Sequence, residues 1–108
     1  MRESAIERHL VAQVKQHGGL CWKITSPNLR GVPDRLVITP TALVWVELKA
    51  PGKKLGPLQR RRHAELARLG QAVHVLDSIH AVDELIKTLW PQDPSRLALT
   101  KKSSLSTS

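Results

Sequence analysis

Two short apolar runs in this chain are bordered by charge. Leu36-Val37-Ile38 follows Asp34, and Leu43-Val44-Trp45-Val46 runs directly into Glu47-Leu48-Lys49. Runs this short, bounded by Gly, Pro and Thr, read as adjacent buried strands. A charged side chain at the end of a buried strand is costly unless it is paired or binds something. Any fold open to this chain must therefore bring Asp34 and Glu47-x-Lys49 to a place where their charge has a use.

The rest of the pattern supplies a frame for those strands. Ser4 to Gln16 reads as a helix with capping-box spacing from Ser4 to Glu7 and an apolar stripe of Ile6, Leu10, Val11 and Val14, ended by Gly18-Gly19. Leu20 to Thr25 is a short strand, and residues 26–31 form a loop. Asp34 to Thr39 is a second strand, and Pro40-Thr41 makes the turn. Ala42 to Lys49 is a third strand, apolar enough to be central in a sheet. Pro57 opens a second helix that runs to Leu69 with Leu58, Leu66 and Leu69 inward, and Gly70 stops it. Ala72 to Leu76 is a fourth strand. Ser78 caps a last helix that carries Ile79, Val82, Leu85, Ile86 and Leu89 and is broken by Pro91 and Pro94. The order α-β-β-β-α-β-α is that of a mixed α/β layer fold. Residues 1–90 make one domain, and residues 91–108 read as a polar, disordered tail.

Composition narrows the partner. The 108 residues carry a formal net charge of +8, which in so small a domain points to an anionic polymer, nucleic acid in particular. Three tryptophans are the only aromatic residues besides histidine. That is few for stacking single-stranded bases and favours contact with a duplex backbone. No apolar run approaches the ~20 residues of a membrane span. The first helix, with Glu3 and Glu7, is no signal peptide. Cys21 is the sole cysteine. It reads as a small core residue and fits a reducing, cytoplasmic compartment.

Asp34 and Glu47 together offer the oxygen ligands that a hard divalent ion such as Mg²⁺ or Mn²⁺ prefers, with the Leu48 backbone carbonyl as a neutral third. Lys49 lies two residues beyond Glu47, on the same face of a strand, where it can neutralise charge on a phosphate. Taken singly, these residues have plain alternatives. Asp34 is a common turn residue after Pro33, and Glu47 with Lys49 could be an exposed edge pair. Jointly, a Gly-x-Pro-Asp loop entering one strand, Glu-x-Lys closing the next and a basic helix following favour a site. Glu7 falls on the apolar stripe and is aimed at the core, either as a further site carboxylate or as half of the capping box. Gln59, in the first turn of the second helix, could orient Lys49 or a metal-bound water, although a solvated helix residue is the plainer reading of its position alone. Arg30, Arg35, Lys53, Lys54, Arg60, Arg61 and Arg62 are the candidate DNA contacts. The five histidines show no metal-ligand spacing; His63, one turn beyond Gln59, could approach the site, but an ordinary partly buried or surface role is favoured.

Glu7, Arg30-Gly31-Val32-Pro33-Asp34, Val46-Glu47-Leu48-Lys49-Ala50-Pro51 and Leu58-Gln59 resemble the VRR-NUC domain, a branch of the PD-(D/E)xK nucleases, over residues 3 to 90. The compact form resembles the stand-alone phage and bacterial members. The resemblance implies a restriction-endonuclease-like fold, a mixed central sheet flanked by helices. It also implies a Mg²⁺- or Mn²⁺-dependent DNA endonuclease in the cytoplasm of a bacterium or phage-infected host. Asp34, Glu47 and the Leu48 carbonyl would hold metal, Lys49 would be the catalytic lysine, Glu7 a further acidic site residue and possible ligand, and Gln59 the helix glutamine. Stand-alone members resemble Holliday-junction resolvases, so a homodimer acting on branched DNA is expected, with the leftover apolar surface near Trp90 as one place for the dimer contact. Two alternatives compete with this reading. One is a basic DNA-binding module without catalysis, and the other is a restriction-like enzyme that cuts at one sequence.

Overall fold

Ile6, Leu10 and Val14 recur at helical spacing and are fully buried on one side of α1 (Glu3–Gln16). The computed structural model describes residues 1–91, so the tail expected beyond Pro91 lies outside the described residues. The start of α1 corrects one expectation. The cap is Arg2, with no side-chain hydrogen bond, and Ser4 lies inside the helix, where it cannot cap it. After Gly18, β1 (Leu20–Lys23), β2 (Arg35–Ile38) and β3 (Leu43–Leu48) form an antiparallel meander. A crossover through α2 (Pro57–Arg68) then lays β4 (Ala72–Leu76) parallel to β3, and α3 (Ile79–Leu89) follows. The sheet order is β1-β2-β3-β4. The element order is the one read from the sequence. Among the described residues no helix is long and apolar enough to cross a membrane.

Alternation along β3 separates two environments. Val44, Val46 and Leu48 point into the core with Val37 of β2, Leu76 of β4, the stripe of α1 and Val82, Leu85, Ile86 and Leu89 of α3. Burying each of these side chains contributes roughly 1.5–3 kcal/mol. Ser78 caps α3 by accepting from the Ala81 N–H at 2.9 Å. His9 of α1 bonds Asp83 of α3 at 2.7 Å and ties the two helices together at the rim. Trp90 stacks on His17 with ring centroids 5.0 Å apart, so it is used within the fold.

Leu43, Trp45 and Glu47 point to the opposite face, the side of α2. That helix departs from its expected packing. Leu58 and Leu69 are exposed, and its one buried residue is His63. It covers Glu47 with polar side chains, while Leu66, also expected inward, is partly buried beside Trp45. The loop before β2 meets the start of this helix closely. Gly31 has φ +88°, and a Cβ there would lie 2.5 Å from the Leu58 carbonyl oxygen. Gly52 also has positive φ (+79°) but open space around it. Both Gly→Ala changes carry the cost of a left-handed backbone, about 1 kcal/mol, but only Gly31→Ala adds a collision. Urea denaturation is expected to show Gly31→Ala clearly less stable than Gly52→Ala, by about 1–3 kcal/mol.

Candidate active site

Asp34 immediately precedes β2, and Glu47 lies near the end of β3. The ladder pairs Arg35 with Val46, so one step further along it Asp34 comes level with Glu47. Both then share a face, because side chains of paired residues point the same way across a sheet. The Asp34 Oδ2 accepts the Leu48 N–H at 2.9 Å, and the Asp34 carbonyl accepts the Ile24 N–H at 2.8 Å. Asp34 is thus tied to both neighbouring strands.

Glu47 is the most deeply buried acidic residue described, 2% exposed. Its carboxylate meets α2. Gln59 Nε2 donates to Oε2 at 3.1 Å, and His63 Nε2 lies 3.3 Å from Oε1. Gln59 is itself fixed, because its Oε1 accepts the Gly56 N–H at 2.9 Å. Burial pushes the Glu47 carboxyl up to about 8, helped by a hydrogen bond with Asp34 and by its charge; Lys49 opposes the shift and Glu3 adds to it. Lys49 follows Glu47 by two residues on the same face, and its backbone N–H is held by the Leu76 carbonyl at 2.9 Å. Burial pushes His63 below the ordinary histidine range, with Asp34 opposing and Lys49 adding to the shift.

Asp34, Glu47, Lys49 and Gln59 are therefore brought together. Leu48 joins them through its N–H. Glu7 sits elsewhere. It accepts from Arg35 Nε at 3.0 Å, and Arg35 also donates to the Cys21 carbonyl at 3.2 Å. Arg35 alternates with Asp34 along the strand, so its side chain leaves the sheet on the α1 side, away from Glu47. The Arg35 guanidinium is engaged in this partly buried ion pair. His63 is the part that sequence reasoning favoured as merely structural. It lies four residues from Gln59, on the same helical face.

The basic residues spread around this centre. Arg30, Lys53 and Lys54 are exposed on the loops at either side. The three arginines of α2 diverge. Arg60 donates to the Leu55 carbonyl, Arg61 points outward near Glu65, and Arg62 is bound to Glu65 and to the Arg30 carbonyl. Below the carboxylates the same sheet face is apolar and partly uncovered. One row is Trp22, Leu36 and Trp45, and the next is Leu20, Ile38 and Leu43. Leu29, Val32, Pro33, Leu66 and Leu69 frame a cleft of about 330 Å³ beside Trp45.

No family model matches the chain. It is 53% identical over 79 residues to "Putative nuclease p44" of Acyrthosiphon pisum secondary endosymbiont phage 1, a match that covers 72% of this chain and 85% of the relative. It is also similar to a solved "VRR_NUC domain", with a TM-score of 0.74 and 32% identity over 79% of this chain and 94% of that one. Motif, fold and relatives agree: the chain belongs to the VRR-NUC family of nucleases.

Proposed function

We propose that the protein is a metal-dependent DNA endonuclease that hydrolyses phosphodiester bonds, with Asp34, Glu47 and Lys49 at its centre. The observation that carries this reading is the carboxylate pair at the end of the β2–β3 ladder, with Glu47 buried and Asp34 partly so. Burial, a hydrogen bond with Asp34 and the charge of Asp34 hold the Glu47 carboxyl up to about 8. Such a pair fits a hard divalent cation such as Mg²⁺ or Mn²⁺. Among the described residues no group of three or more His, Cys, Asp or Glu side chains could hold a metal ion. The donor set proposed is two carboxylates plus the Leu48 carbonyl, which suits an ion that keeps several waters. When bound, the ion would polarise the scissile phosphate and acidify a water.

The chain's own residues do the rest. Asp34 and Glu47 hold their oxygens on one face, fixed by Leu48 N–H and Gln59. The Lys49 ammonium, on that face, neutralises charge developing on the phosphate. Glu7 keeps Arg35 in place. Arg30, Lys53, Lys54, Arg60 and Arg61 are the cations proposed to meet the DNA backbone. Arg62 acts chiefly as a brace between α2 and the loop before β2.

Two extensions belong to the same reading. The substrate is branched, four-way-junction-like DNA, and the active form is a homodimer. The dimer is supported by the open sheet face, where Leu20, Trp22 and Leu43 are each about half exposed. Apolar patches on monomers seldom exceed about 300–600 Å², and a standard interface covers about 800 Å² per partner. The face adjoins the carboxylates, so pairing two copies there would bring two sites near one dyad and suit a substrate with two strands to cut.

The direct test is nicking of supercoiled plasmid in Mg²⁺ or Mn²⁺ with EDTA as control, followed by linear duplex and four-way junction. Asp34→Ala, Glu47→Ala and Lys49→Ala are each expected to lower the rate about a hundredfold or more while remaining folded. Wild-type rates in any of them remove that residue from the proposal, and equal cutting of junction and duplex removes the structural preference. A DNA-binding module without catalysis would bind DNA in a salt-dependent way and nick under neither ion.

A second test concerns pH. Glu47 has a folded value near 8 against about 4.5 unfolded. Between these values the native state holds a proton that the unfolded chain has released, so metal-free protein loses stability as pH rises through this window. In EDTA, Glu47→Gln is expected to melt several degrees above wild type at pH 8.5 and to converge with it near pH 5, and Mn²⁺ should raise the wild-type melting temperature more at pH 8 than at pH 6. Parallel melting curves at all pH values would refute the buried, proton-holding carboxyl. For the dimer, sedimentation should show wild type as a dimer and Trp22→Glu with Leu43→Glu as a folded monomer; a monomeric wild type ends that part of the proposal.

A further inference from the structure

Two side chains of α2 reach Glu47, and the second has no role so far. Gln59 and His63 are four residues apart and so project from one side of the helix. Gln59 Nε2 donates to one oxygen of Glu47 at 3.1 Å, and His63 Nε2 lies 3.3 Å from the other. His63 is the only buried residue of α2. A helix that packs on a sheet ordinarily buries Leu or Ile there, and a ring nitrogen in that place is costly without a partner. With the ring in its Nε2–H tautomer, the partner is Glu47 Oε1.

The two bonds together do what one cannot. The terminal torsion of a glutamate is broad and two-fold, so a carboxylate held at a single oxygen can still rotate about its last bond. Bonds to both oxygens from one helix fix its plane. We propose that His63 is a positioning residue that, together with Gln59, clamps the Glu47 carboxylate in the plane in which it meets the divalent cation. The proposal rests on Glu47 being a ligand to that cation. Partners that orient a metal ligand typically contribute 10–100-fold in metal affinity.

The test is calorimetric titration of the whole chain with Mn²⁺, alongside melting temperatures, for His63→Gln, His63→Leu, His63→Ala and Glu47→Gln. His63→Leu fills the site but donates nothing, and it is expected to weaken Mn²⁺ binding by about tenfold while staying folded. His63→Gln, which presents an amide N–H at a similar reach, is expected to recover most of that loss. Plasmid cleavage should follow the same order. If His63→Ala does not fold, the Leu and Gln pair still decides the matter. Wild-type Mn²⁺ affinity in His63→Leu, or His63→Gln as weak as His63→Leu, overturns the clamp. Wild-type affinity in Glu47→Gln overturns the underlying reading of Glu47 and distinguishes that failure from a failure of His63 alone.

Discussion

A carboxylate sealed under a helix is the constraint on which the rest of this structure turns. Glu47 is on the central strand, with β2 on one side and β4 on the other, so water reaches it poorly and its charge must be met by the protein or by a ligand. The meander brings Asp34 beside it, and the crossover brings Gln59 and His63 over it. Neither half makes the site alone. Under the proposed function, a divalent cation would relieve the repulsion of the two adjacent carboxylates that burial intensifies.

The division of the sheet into two faces follows from the period of two along β3. Val44, Val46 and Leu48 close one face against α1 and α3, and Leu43, Trp45 and Glu47 form the other. α2 sets Gln59 and His63 over Glu47 and Leu66 beside Trp45, and it leaves Leu20, Trp22 and Leu43 farther out about half exposed. The chain thus presents a chemical centre and an unburied apolar surface side by side, with the exposed cations Arg30, Lys53 and Lys54 on the flanking loops.

The strands, their order and the pairing of Asp34 with Glu47-x-Lys49 were legible because their signals are local. An apolar run of fixed length bounded by turns leaves little choice of element, and Ser78 caps α3 as its spacing foretold. Partners across the fold were less legible. Periodicity gives the direction in which Glu7 points but not that Arg35, from the opposite side of its strand, would take it. Leu58 and Leu69 are apolar on a helix and were read as inward, yet the strand beneath α2 offers a buried acid, and the polar pair at positions 59 and 63 takes the inner side instead. His63 was hidden for the same reason: one histidine among five carries no sign of burial until the carboxylate opposite it is known.

The tight connection between β2 and β3 has a kinetic consequence. The two carboxylates sit on one hairpin joined by residues 39–42, where the Thr39 N–H donates to the Ala42 carbonyl at 2.8 Å. Closing so short a loop costs little chain entropy, and hairpins form in about 1–10 μs. Gln59 and His63 arrive only after a parallel crossover, a contact between more distant parts of the chain and a slower one to form. During folding the acidic pair can therefore assemble before its cover, in open solvent, where hydration moderates the repulsion that burial later intensifies.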